Sequence, residues 1–197
     1  MGPGVPETVK TPADFVAWCK ANPKQAAYAS TSAGATPHFA GLMFSKAAGI
    51  PILHVPYKGG APALQDLMGG QIASSFNPVG EVIPQLKSGK LRVLATTGAQ
   101  RNKFMPDVPT MVEAGFKDVV AEVWLGMLMP ANTPPAIVSK ASVAINEALK
   151  SPELRETYSR FGMDTLQGTP ESFAALIKVD LAMWGPVIRA SGFTAEE

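Results

Sequence analysis

The chain has 197 residues, enough for a substantial core in one domain or two small ones, and 46% of them are hydrophobic. Lys plus Arg total 17 against 16 Asp plus Glu, a net charge of +1 with no basic block along the chain, which argues against nucleic acid as a partner. The single cysteine, Cys19, excludes an internal disulfide and a paired-thiolate metal site, no apolar run reaches the roughly 20 residues needed to span a bilayer, and residues 1–20 carry no signal-peptide pattern.

In chain order, residues 1–10 (MGPGVPETVK) read as an irregular lead-in. Thr11 as N-cap, Pro12 at the first helical position and Asp14 in the first turn predict a helix with Phe15, Trp18 and Cys19 on one face, ending at Asn22-Pro23. Cys19 then packs in the core. Residues 26–30 predict a short strand, followed by a loop of small hydroxyl residues around Gly34 and by a helix with Thr36 as cap, Pro37 at its start and Gly49 past its end. Residues 52–56 predict a second strand, closed by Tyr57-Lys58-Gly59-Gly60. A short helix through Ala63, Leu64 and Leu67 ends at Gly69-Gly70, and residues 71–76 predict a third strand. Asn77-Pro78 opens a helix in which Val79, Val82, Ile83 and Leu86 recur at helical spacing, and residues 91–97 predict a fourth strand. Strands alternating with helices in this way argue for a βαβ series and a mostly parallel sheet.

Beyond residue 98 the pattern changes. Residues 100–109 are polar and proline-rich, residues 110–114 have room for one helical turn or two, and residues 119–129 form an extended candidate. Helices are then predicted over 137–149, from Ser151-Pro152-Glu153 to Gly162, and from Thr169-Pro170-Glu171 through Trp184 and Ile188. Three consecutive helices cannot complete a doubly wound sheet and need apolar surface from elsewhere. The expected boundary lies between residues 116 and 130.

Catalysis finds little support. His38 and His54 are the only histidines, and HExxH, GxSxG, GxGxxG and GxxxxGK[ST] are all absent. Each histidine alone reads as a packed side chain, near a helix start for His38 and on a strand for His54. No catalytic set, metal ligand set or cofactor is expected. The strongest functional candidate is the loop of residues 30–36, at the positive end of the helix that follows it. Ser30, Thr31, Ser32 and Thr36 bring hydroxyls, while Ala33, Gly34 and Ala35 are small enough to let backbone N–H groups approach an anion. The competing reading is an ordinary Ser/Thr-rich turn with a helix cap. Asn77 has the same kind of position. In an open parallel sheet both junctions fall at the carboxyl ends of strands, where ligands collect. Lys58 could reach an anion but also reads as a solvated surface charge, and Trp124 and Trp184 read as packing residues.

Taken together, TPADFVAWCKANP, YAS...G...HFAG, HVPYKGGAPALQDLMGGQI, SGKLRVLATTGAQR, MPDVPTMVEAGF, W-x-G before MPANTPPAIV, and TPESFAALI ending in W-x-x-V resemble, in order over almost the whole chain, one family. It is the tripartite tricarboxylate transporter family of extracytoplasmic solute receptors, or Bug receptors. The resemblance implies a non-enzymatic periplasmic binding protein, type II-like and α/β. One lobe has a mostly parallel sheet flanked by helices, and the C-terminal helices belong to an incomplete other lobe. It assigns residues 1–118 to the family's second lobe, and residues 119–197 to a crossover strand and helices that would complete the first. The ligand implied is a small carboxylate or dicarboxylate gripped between lobes. Ser30, Thr31, Ser32, Ala33, Gly34, Ala35, Thr36 and Asn77 are the candidate ligand residues, with His38, Tyr57, Lys58 and Trp124 as further candidates. Ser32 stands where the family usually has glycine, Ala35 where it has Ser or Thr, Ala73 where it commonly has aspartate, and Asn77 where it often has aspartate. The resemblance also implies membrane transporter subunits as partners and a periplasmic location. Family members normally begin with a signal peptide and a first-lobe segment bearing a second ligand loop, so this chain is expected to be truncated, to bind weakly or not at all, and to cover its C-terminal helices either in a homo-oligomer or by an altered docking on the α/β lobe. The alternative is a ligand-sensing or interaction domain of a regulator with the same bilobed architecture, against which stands the lack of a DNA-binding helix-turn-helix before the α/β region.

Overall fold

The short, bounded apolar run around Tyr28 produces the strand on which the fold is built. In the computed structural model, which describes residues 1–194, β1 (Ala27–Ser30) lies between β2 (Leu53–Pro56) and β3 (Ser74–Phe76), in the order β2-β1-β3 and parallel throughout. The last three residues of the 119–197 region lie outside the described residues. Successive side chains of a strand point to opposite faces. Tyr28 therefore packs with Phe44 and Phe15 on one side, and Ala29 with Ala63, Leu64 and Leu67 on the other. These clusters are supplied by α1 (Pro12–Ala21) and α2 (Thr36–Ala48) on the first face, and by α3 (Gly60–Met68) on the second. An eight-residue helix, α4 (Val79–Leu86), follows β3.

Local signals explain the helix ends. Thr11 Oγ1 accepts from the Asp14 N–H at 3.1 Å while Asp14 Oδ2 accepts from the Thr11 N–H at 2.9 Å, a reciprocal capping box. Helix α2 stops at Gly49 in the left-handed conformation, φ 64°. Its start departs from expectation. Thr36 is already helical, and the cap is Ala35, in extended conformation and with no side-chain hydrogen bond. Cys19 is buried in the core as its helical face predicts.

Two expectations are corrected. Residues 91–97 do not form a sheet strand. The Arg92 N–H donates to Met1 O, Thr96 makes a single parallel bridge to Thr110, and Thr97 O accepts from the Ala121 N–H, so these backbone groups pair with loop segments rather than with a sheet strand. Residues 119–129 likewise carry no strand. Residues 110–114 hold one helical turn, closed by the Ala114 N–H on Thr110 O at 3.0 Å, as the sequence allows. The lead-in is irregular but packed. Val5 and Val9 are buried, and Gly2 lies so close to the Leu67 carbonyl that a Cβ would meet its oxygen at 1.9 Å.

The chain forms two compact units, Met1–Val123 with the residues from Ser191 onward, and Trp124–Ala190. The second contains α5 (Pro135–Ala148), α6 (Pro152–Arg160) and most of α7 (Pro170–Ser191). Within it the Phe173 ring fills the space a Cβ on Gly126 would take and meets Trp124 edge-on at 5.2 Å, while the Trp124 indole N–H donates to Asp180 Oδ2. Yet no residue from 124 to 190 is buried, and Leu128 and Leu166 are 76% and 79% exposed. Among the described residues no helix is long and apolar enough to cross a membrane.

Candidate functional site

Because the strands are parallel, their carboxyl ends fall together. Ser30 is in register with Pro56 on one side and Phe76 on the other, so the β1–α2, β2–α3 and β3–α4 junctions open at one edge of the sheet. The backbone joins two of them directly, since the Tyr57 N–H donates to Ser30 O at 3.0 Å and the Gly59 N–H to Thr31 O at 2.8 Å. Helices α2, α3 and α4 begin there without a side-chain cap. As α5 and α6 also lack one, the convergence of three junctions, rather than the missing caps, distinguishes this edge.

The β1–α2 loop is held by a relay that strand register makes available. Tyr28 pairs with His54, so His54 faces α2 along with Tyr28 and Ser30. Ser30 is buried; its Oγ donates to Ser32 O at 3.0 Å and lies 2.7 Å from His54 Nε2. With the hydroxyl proton used in that way, Nε2 of His54 carries a proton and donates. The Gly34 N–H donates to His38 Nδ1 at 3.1 Å, so a neutral His38 has its proton on Nε2. The two imidazoles stack at 3.9 Å with 15° between planes. Burial lowers the His38 pKa, and burial followed by the neighbouring His38 lowers that of His54 to about 4. Both rings are neutral at pH 7. Tyr28 OH completes the support by donating to His38 O at 2.9 Å.

The candidate residues fall into separate groups. Residues 30–36 form one loop, with Ser32 and Ala33 exposed at its tip and Gly34 in the left-handed conformation, φ 77°. Asn77 begins the β3–α4 junction; its Oδ1 accepts from Ser75 Oγ and its Nδ2 donates to Glu81 Oε2. Tyr57 shares the neighbouring junction, but its OH donates to Asp66 Oδ2 at 2.7 Å, and burial with that carboxylate pushes its pKa up to about 12. Lys58 is exposed at the same junction. Trp124 belongs to the second unit and is held by Phe173 and Asp180. The histidine pair and its bond to Ser30 were not visible as a pair in the sequence, because only the β1–β2 register brings His54 to the face of His38. Among the described residues no group of three His, Cys, Asp or Glu could hold a metal ion.

A family model described as the tripartite tricarboxylate transporter family receptor matches residues 4–193. Protein BugT of Bordetella pertussis is 34% identical over 178 residues, which are 90% of this chain and 55% of BugT. Among solved structures, that of R. palustris Rpa4515 with adipate superposes with a TM-score of 0.84 at 27% identity, covering 97% of this chain and 63% of that one. Periplasmic binding protein BugD gives 0.78 at 28% identity, covering 97% and 64%. The chain spans about half the length of BugT, whereas it covers 92% of a relative from Pseudomonas knackmussii encoded between clcB and clcD, at 31% identity over 79% of this chain. The shared architecture is that of type II periplasmic binding proteins, with a small parallel sheet flanked by helices. With nearly its whole length matched by the family model, the chain belongs to the tripartite tricarboxylate transporter receptor family.

Proposed function

We propose that this chain serves solute uptake rather than catalysis, binding a small carboxylate or dicarboxylate at the loop of residues 30–36. The observation that carries the reading is the convergence of three strand-to-helix junctions at one sheet edge, with the α2 N-terminus behind the longest of them. Backbone N–H groups there suit a carboxylate, which accepts several charge-assisted hydrogen bonds without needing a metal or a counter-ion. Structural neighbours described with adipate and with malate support that ligand class. Residues 1–118 act as the second lobe of the receptor fold and residues 119–197 as the part that completes the first. The working location is the periplasm, with the membrane subunits of a tripartite system as partners.

A carboxylate held by one loop keeps much of its hydration, so the 197-residue chain is expected to bind adipate or malate with a dissociation constant of about 1 mM or weaker. Titration followed by amide chemical shifts should move residues 31–36 first. A micromolar constant by calorimetry would overturn the single-loop reading, and shifts confined to other residues would overturn the loop.

The open apolar faces of α5 and α7 are proposed to cover one another between copies. Sedimentation at increasing concentration should show reversible self-association, weakened by Val143→Glu on α5 and Leu181→Glu on α7 together. A concentration-independent monomer would refute it.

A further inference from the structure

Gly34 is the turning point of the loop, and the space left by its missing side chain is filled. A Cβ there would lie 2.5 Å from Cζ and 2.8 Å from Cε1 of Phe193, in the tail that follows α7. Phe193 meets His38 edge-on at 5.8 Å and 74°, and Phe39 at 5.8 Å and 83°. One half-buried ring thus touches the loop's turning point, the histidine that accepts the Gly34 N–H, and the residue beside it. The approach of the ring is itself set locally. Gly192, at φ 69°, turns the chain out of α7, and the Phe193 N–H donates to Ser191 Oγ at 3.1 Å. The loop's own side chains are small, with Ser32 and Ala33 exposed, so its shape depends on what its neighbours press against it. The ring contacts both ends of the Gly34–His38 hydrogen bond and so limits the access of water to it.

We infer that Phe193 is a positioning residue of the ligand loop: its ring presses Gly34 onto His38 and so sets the direction of the N–H groups that a carboxylate meets. This rests on the reading of residues 30–36 as the ligand element, but the contact can be measured without ligand. In Phe193→Ala the Gly34 amide and the His38 Hε1 signal should lose their ring-current displacement. The Gly34 amide should exchange about tenfold faster while β1 amides keep their protection. Phe193→Tyr should restore both, and Phe193→Leu, which keeps the bulk in case the alanine variant unfolds, should restore exchange protection in part but not the shifts. Unchanged Gly34 and His38 signals in Phe193→Ala and Phe193→Leu, or exchange that rises equally across the sheet, would overturn the inference. An adipate titration of the same proteins separates the two claims. Loop signals that respond to Phe193 but not to adipate leave the positioning role standing and remove the ligand reading. Adipate shifts in a loop indifferent to Phe193 do the reverse.

Discussion

Gly41→Ala is expected to lower stability by about 1–3 kcal/mol, and to do so only while Tyr28 is present. A Cβ at position 41 would lie 2.1 Å from Cε2 and 2.3 Å from Cζ of Tyr28. The ring has little freedom to step aside, since its OH donates to His38 O, Phe76 meets it edge-on at 5.6 Å, and His54 lies against it at 5.0 Å. Helix α2 would have to lift from the sheet. On helix propensity alone the same change should stabilise by up to about 1 kcal/mol, so the sign of the result decides which effect wins. Tyr28→Ala alone is expected to cost about 3–5 kcal/mol through the cavity it leaves. In that background the methyl group added at position 41 has room, and the double variant should be more stable than Tyr28→Ala. Urea denaturation of the four proteins gives the coupling directly. Additive losses would show that the ring is not the obstacle.

The same pair shows what could be read from the sequence. The strand at Tyr28 and the helix after Gly34 announce themselves locally, through a bounded apolar run, Pro37 and a glycine at position 49, and the structure places β1 and α2 there. The parallel sheet follows from the alternation of elements. What escaped depends on partners distant in the chain. Residues 91–97 have strand composition, yet Met1, Pro109, Met111 and Ala121 take backbone groups of Arg92, Thr96 and Thr97. Thr36 has the chemistry of a cap, but the turn at Gly34 brings the chain in one residue early, so Ala35 takes that place and the Gly34 N–H turns to His38 instead. Phe193 carries no local mark of function at all. Its contact with Gly34 arises because the tail after α7 returns to the first unit.

The histidine pair should make the first unit lose stability as pH falls from about 6.5 towards 4, a window set by the ordinary histidine pKa and by the lowered value of about 4 for His54. In the unfolded chain both rings take up protons near pH 6.5. In the folded chain burial holds both neutral, and a charge on His38 further opposes one on His54. Below pH 6.5 the unfolded state therefore binds more protons, so the contribution is fully present above that pH and shrinks until the folded rings titrate as well. Their hydrogen-bond partners, Ser30 Oγ and the Gly34 N–H, include no carboxylate that would favour the charged form. Water reaches part of the pair, so the expected loss is about 1–2 kcal/mol rather than the full value of the shift. Comparison with His54→Gln isolates this effect, because only the histidine contribution differs between the two proteins. Urea midpoints between pH 7.5 and 4.5 should fall more steeply in the parent than in His54→Gln, and parallel curves would refute the argument. A second consequence concerns the loop. Protonating His38 at Nδ1 removes the acceptor of the Gly34 N–H, so the Gly34 amide should lose exchange protection in step with the His38 titration, at a pH below that of an exposed histidine.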